Sequence, residues 1–470
     1  MATNELCFLS IAQLADQIKK RTVSPVEITQ AYLDRIQTVD AKLNSYISVT
    51  AEQALQEAKL AEAQISNNAY LGPLHGVPLA HKDIIATKGT KTTCASKVLR
   101  DHVPDYDATV IERLRAAGSV LLGKLNMNEF ATITPSPFFG RVNNPWNLAH
   151  NPGGSSSGSG AAVATDLCAG ALGTDTGGSI RIPAAFCGIV GLKATHGRIS
   201  LYGVTPLAWS LDHIGPMTKT VTDAALMLQA LAGYDPHDLV SSDTPVPNYT
   251  AKLNSEIKGL RLGIPTRFFP QYTDPEVQDA FTLAVKVLES LGATIEEVTL
   301  PDLEDAWSIA QVLINGEANV WHEPYLQTQA EDYAPQVRKF LERGTSTLAT
   351  DYVRAQRTKA QLRLDMLAVF ADLDALLTPG ELIPPPPHEA RSALIHGEEV
   401  SLMAALISAT CPFNLTGQPA LTVPCGFTAS GLPLALQIVG KPFDEVTVLQ
   451  IGQAYEEHTA WHEKQPPDEM

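Results

Sequence analysis

The 470-residue chain is short of positive charge. Its 34 Lys and Arg face 51 Asp and Glu, for a formal net charge of −17. That balance argues against a nucleic-acid surface or an anionic membrane as the main partner. No run of about eighteen apolar residues occurs, so no transmembrane helix is expected. Residues Met1 to Cys7 lack a basic stretch followed by an apolar core, so no secretory signal is expected. Cysteine is scarce: Cys7, Cys94, Cys168, Cys187, Cys411 and Cys425 lie far apart with no Cys-x-x-Cys spacing. They predict buried thiols in a reducing cytoplasm and no metal site. No internal repeat is evident.

What is present is a glycine- and serine-rich block over residues 152–181. It reads Pro-Gly-Gly-Ser-Ser-Ser-Gly-Ser-Gly, then an alanine-rich run, then Gly-Thr-Asp-Thr-Gly-Gly-Ser-Ile-Arg. Glycines beside Ser155 and Ser179 let the backbone adopt positive φ and approach a bound group closely. The amides of Thr176, Gly177, Gly178 and Ser179 could then converge on one oxygen, as a tetrahedral acyl-transfer intermediate requires. Ser179 would be the nucleophile. Either loop alone also reads as an ordinary turn. No Gly-Lys-Ser/Thr follows the block, so it does not indicate a phosphate cradle.

A serine hydroxyl needs a base at neutral pH. Lys82 sits in an apolar, strand-like run, Pro73 to Ile85, where burial would lower its pKa toward that of a usable base. Ser-Lys pairs are an alternative to Ser-His-Asp. Lys82 also reads as a strand-end side chain paired with Asp83. A histidine triad stays open on composition, with His75, His81, His196 and His213 near the block, but the Gly-x-Ser-x-Gly elbow is absent around Ser179.

Taken together, these segments resemble the amidase signature family. The resemblance is carried by residues 153–160 and 173–181, continuing through Pro183-Ala184-Ala185-Phe186-Cys187-Gly188 and Gly191-Leu192-Lys193. It extends to Gly431-Leu432-Pro433 and Gln437-Ile438-Val439-Gly440, and weakens between about residues 247 and 387. It implies a three-layer α/β/α fold with a central mixed β-sheet covered by helices, in one domain spanning 1–470. Within it, N-terminal helices would occupy 1–70, the signature core 71–232, a linker 233–258 and a second half 259–470, with a helical cap at about 307–373. The resemblance further implies a Ser-cisSer-Lys triad: Ser179 as acylated nucleophile, Ser155 after a cis Gly154-Ser155 bond as the bridge, and Lys82 as the ultimate base. Ser156 and Asp175 would hold the loops and Arg181 would anchor the turn. Neither a cofactor nor a metal is implied.

Local patterns add detail. Ser24-Pro25-Val26-Glu27 is a capping box opening a helix. The small residues from Ala161 to Ala169 suit a helix packed behind the Ser155 loop, and 274–291 reads as a further helix. Pro384 to Pro387 form a stiff segment, expected near the pocket mouth. Phe138, Phe139, His81 and Ile407 are candidate pocket residues.

The expectation is therefore a cytoplasmic serine amidohydrolase cleaving non-peptide C-N bonds of a small-molecule amide, with esters and carbamates open and no nucleic-acid or membrane partner. A homodimer is left open. Its main rival is the glutaminase component of glutamyl-tRNA(Gln) amidotransferase, which the first half resembles through Lys91-Thr92-Thr93-Cys94-Ala95-Ser96-Lys97 and Tyr106-Asp107-Ala108-Thr109. Two departures disfavour that rival. Leu406-Ile407-Ser408 stand where a carboxylate for an amino-acid ammonium group is expected, and Ala349 to Arg354 replace a tyrosine-rich segment. A catalytically inactive binding protein is disfavoured because Lys82, Ser155 and Ser179 are all present.

Overall fold

The computed structural model describes residues 3–467; Met1 and Ala2 of the N-terminal stretch lie outside it. In the first half the strands are β1 (Tyr46–Val49), β2 (Pro78–Lys82), β3 (Val120–Leu125), β4 (Gly170–Asp175), β5 (Val190–Lys193) and β6 (His213–Thr218). In the second half they are β7 (Arg261–Pro265), β8 (Thr294–Val298), β9 (Ala375–Pro379), β10 (Ser392–Ile395), β11 (Glu398–Ser401), β12 (Ala420–Phe427) and β13 (Pro433–Gly440). Eleven of them form one sheet in the order β1-β3-β2-β4-β6-β5-β12-β13-β9-β7-β8, while β10 and β11 pair separately.

The sheet is mixed. β2 runs parallel to β3 and β4, and β7 runs parallel to β8 and β9. Between them, β6, β5, β12 and β13 pair antiparallel. With its helices this is the three-layer α/β/α architecture that the sequence implied. All five residues of β2 are buried, as a strand covered on both faces must be.

Local signals account for the elements around the site. Ser24 caps the helix Pro25–Leu43, and Glu27 closes the capping box. The helix behind the Ser155 loop is Ser157–Ala164, ending earlier than the 161–169 run suggested. The chain reverses at Asp166, with φ 58°, to enter β4 at Gly170. Every residue of this helix is buried. A Cβ on Gly158 would lie 2.4 Å from the Asn126 carbonyl oxygen and 2.5 Å from that of Ser45, so small residues are a steric requirement here.

Residues 233–258 carry no helix or strand. Helices Ala306–Gln329, Pro335–Glu342 and Ala349–Val369 account for the mainly helical stretch. The proline segment is tied to the chain that leads into the Ser155 loop. The Asn151 N-H donates to the Pro386 carbonyl at 2.8 Å, and the His388 N-H to that of Ala149 at 3.0 Å.

Candidate active site

Parallel pairing of β2 and β4 aligns Ala80 with Ala171 and His81 with Leu172, so Lys82 and Thr174 end up together at the carboxyl ends of neighbouring strands. The Lys82 ammonium is fully buried there and donates to three hydroxyls: Ser155 Oγ at 2.7 Å, Ser156 Oγ at 2.9 Å and Thr174 Oγ1 at 2.7 Å. Burial brings the Lys82 pKa down to about 7, against the opposing pull of Asp175 and Asp212.

The three hydroxyls are not equivalent. Ser156 Oγ donates its single proton to the Thr174 carbonyl at 3.1 Å and accepts the Thr174 N-H at 3.1 Å. It can therefore hold Lys82 but has no free proton to give it. The Ser155 hydroxyl has no other partner among the described residues. As a free amine, Lys82 keeps two N-H bonds, which Ser156 and Thr174 can accept, and turns its lone pair to Ser155.

Ser179 lies on the other side of Ser155. The Ser155 N-H donates to Ser179 Oγ at 3.1 Å, a contact that favours alkoxide character on that oxygen. The Gly154-Ser155 peptide is trans, as are the other peptide bonds among the described residues, so the cis geometry implied by the family resemblance is not present. Gly153 at φ 90° and Gly154 at φ 51° make the turn instead. From Ala171 to Ile180 only Gly177 and Ser179 are partly open to solvent.

The four-amide donor set needs one correction. The Gly178 N-H donates to the Asp175 carboxylate at 2.8 Å and is not free to face a substrate oxygen. The Gly177 and Ser179 amides make no such bond among the described residues. Asp175 also accepts from the Ile180 N-H at 3.2 Å and from the Arg181 side chain at 3.0 Å through both oxygens. Burial pushes its carboxyl up, but Arg181 and the hydrogen bonds outweigh this and hold it at about 2. Arg181 is itself fully buried and donates further to the Thr410 carbonyl, Gln437 Oε1 and Asn414 Oδ1 at 2.9, 2.8 and 2.6 Å.

The pocket candidates divide. Ile407 packs against the turn, its Cγ2 3.5 Å from where a Cβ on Gly177 would lie. His81 does not join the site. Successive strand residues face opposite ways, so it points away from Lys82. Burial and the nearby Lys124 bring its pKa down to about 3. Phe138 and Phe139 pack edge to face on each other at 4.9 Å, with Phe138 53% exposed and the Phe139 carbonyl held by Asn44. Neither makes a ring contact or hydrogen bond to the Lys82 cluster. Sequence reasoning missed Thr174 on Lys82 and the Thr410, Asn414 and Gln437 partners of Arg181. Asn414 and Gln437 stand in segments that carried the resemblance, without anything to reveal their role.

Residues 27–449 match the family described as Amidase. The chain belongs to the amidase family. Amidases hydrolyse C-N bonds, and this chain is an enzyme of that class. It is 42% identical over 489 residues to the glutamyl-tRNA(Gln) amidotransferase GatA-type chain of Geobacter sp. (strain M21), covering 98% of this chain and 100% of that one. A solved structure of the same amidotransferase component from Thermotoga maritima superposes with a TM-score of 0.79 at 31% identity, over 96% and 95% of the two chains. Another, from a vestigial protein complex connected with the origins of an s-triazine catabolic enzyme, superposes with a TM-score of 0.91 at 31% identity, over 96% and 98%.

These findings overturn two expectations. The stand-alone small-molecule amidase rested on two local departures, whereas the likeness to the amidotransferase subunits runs the length of both chains. Ile407 beside Gly177 is one apolar pocket residue, and it does not outweigh that identity. The exclusion of nucleic acid rested on net charge. Charge describes this chain's own surface and does not bear on a tRNA held elsewhere in an assembly. Among the described residues no helix is long and apolar enough to cross a membrane.

Proposed function

We propose that this chain is the glutamine-hydrolysing subunit of a tRNA-dependent amidotransferase. The observation that carries this reading is 42% identity to such a subunit over 98% of the chain. The partners are then the other subunits and, through them, a tRNA-linked acyl group.

Ser179 Oγ attacks the side-chain carbonyl carbon of glutamine, and its proton passes to Ser155 as Ser155 passes one to the neutral Lys82 amine. The amides of Gly177 and Ser179 receive the oxyanion. The proton then returns through Ser155 to the leaving nitrogen, the C-N bond breaks and ammonia departs. The γ-glutamyl ester left on Ser179 is attacked by water with the same groups in the same roles, releasing glutamate. Ser156 and Thr174 keep the Lys82 lone pair aimed at Ser155, and Asp175 with Arg181 fixes the nucleophile turn.

The test is ammonia release from glutamine by the purified chain, alone and with its partner subunits and a glutamyl-tRNA(Gln). Hydrolysis that appears or rises steeply on assembly is expected. An assembled complex that never hydrolyses glutamine would sink the reading.

A further inference from the structure

The turn over residues 176–179 is held from three separate parts of the chain. Asp175 takes the Gly178 N-H, the Thr410 hydroxyl donates to the Gly177 carbonyl at 2.6 Å, and the Thr176 hydroxyl donates to Asp212 Oδ1 at 2.5 Å. The first two belong to the Arg181 network. The third does not.

β4 ends where β6 begins, with Asp175 paired to His213, so Thr176 and Asp212 face each other just beyond the ladder. Asp212 Oδ2 accepts the Leu207 and Ala208 N-H groups at 2.9 and 3.0 Å, which closes the 207–212 loop on itself. The helical cap holds the same loop. Glu317 accepts the Ser210 N-H at 3.0 Å and its hydroxyl at 2.6 Å, and Tyr352 donates to Glu317 at 2.9 Å. Asp212 also reaches a cavity of about 340 Å³ walled by Tyr202, Pro206, Trp209 and Leu239. Asp212 thus stands between the nucleophile turn, the cap and a cavity, and it touches none of the reacting atoms.

We propose that Asp212 is a positioning residue for the acyl-transfer reaction: through the Thr176 hydroxyl it sets the attitude of the turn that carries Ser179. A misplacement of about 1 Å there is enough to cost two orders of magnitude in rate. The inference rests on Ser179 as nucleophile and not on glutamine as substrate.

The experiment follows Ser179 modification by a fluorophosphonate probe in the full chain, read by mass spectrometry, together with kcat and KM for glutamine in the assembled enzyme. Asp212→Ala and Thr176→Val should each slow modification by about tenfold or more and lower kcat with KM nearly unchanged. The double variant should be no slower than the worse single one, because both remove the same link. Asp212→Asn should keep most of the rate: its oxygen can accept from Leu207 and Ala208 while its N-H group donates to Thr176.

Thr176→Val removes one hydroxyl only and remains informative if Asp212→Ala does not fold. Single variants within about twofold of the parent, losses that multiply in the double variant, or an Asp212→Asn as slow as Asp212→Ala would overturn the proposal. If glutamine is never hydrolysed while the probe ranks the variants as stated, the glutaminase reading fails and this one stands. An unmodified Ser179 in the parent chain would overturn it at its root.

Discussion

Lys82 Nζ and Ser155 Oγ are 2.7 Å apart in a site where neither side chain meets bulk water. The proton between them is therefore governed by the protein's own groups. Lys82→Ala should lower the turnover of the assembled enzyme by about 10² to 10⁴-fold, the usual contribution of a general base. Circular dichroism should show the fold intact.

With the Lys82 pKa near 7, activity should climb as pH rises through neutrality and level off above it. Asp212 lies close by, and burial raises its carboxyl to about 7 as well, so the midpoint belongs to the two groups jointly. A pH-rate profile checks this. A rate that instead falls across the same interval would rule out a neutral amine as base.

The same shift acts on stability with a definite sign. The unfolded chain binds the Lys82 proton up to about 10.5 and the folded chain only to about 7. The contribution is thus unfavourable below 7 and relieved as pH rises from 7 to 10.5. Lys82→Met should be more stable than the parent at pH 6, with the difference shrinking toward pH 10. Denaturant unfolding at several pH values measures it.

Ser155 and Ser156 both sit within hydrogen-bond reach of Lys82 but should separate kinetically. Ser155→Ala removes the bridge and should approach the loss seen in Lys82→Ala. Ser156→Ala leaves the bridge in place and should cost less, with a shifted pH midpoint. Equal losses would mean that the committed Ser156 proton does not matter.

Arg181→Met leaves the Asp175 carboxylate buried without its cation. Breaking a buried pair in this way costs about 3–5 kcal/mol. Unfolding in urea should show a loss of that order, with the Ser179 turn disordered by the same change.

Much of the site was legible because it is local. The Lys82 run and the blocks around Ser155 and Ser179 each announce themselves by glycine spacing or by a charge among apolar residues. The opening of the Pro25–Leu43 helix was equally plain, since its capping box lies within four consecutive residues. What could not be read is what distance hides. The Thr410 and Gln437 partners of Arg181 are 229 and 256 residues away, and nothing local marks a threonine carbonyl or a strand glutamine as theirs. His81 misled because adjacency in sequence on a strand means opposite faces in space. The choice between a free-standing amidase and an amidotransferase subunit was hidden for another reason: a few pocket positions were weighed against a likeness spread over the whole chain.

The Arg181 network also bears on when this enzyme becomes dangerous during its own synthesis. The nucleophile, bridge and base have all left the ribosome long before Asn414 and Gln437 are made, and until those residues arrive the buried guanidinium lacks half of its partners. A nascent or prematurely ended chain would therefore display the serines without the brace that holds them, and ammonia release waits on β13.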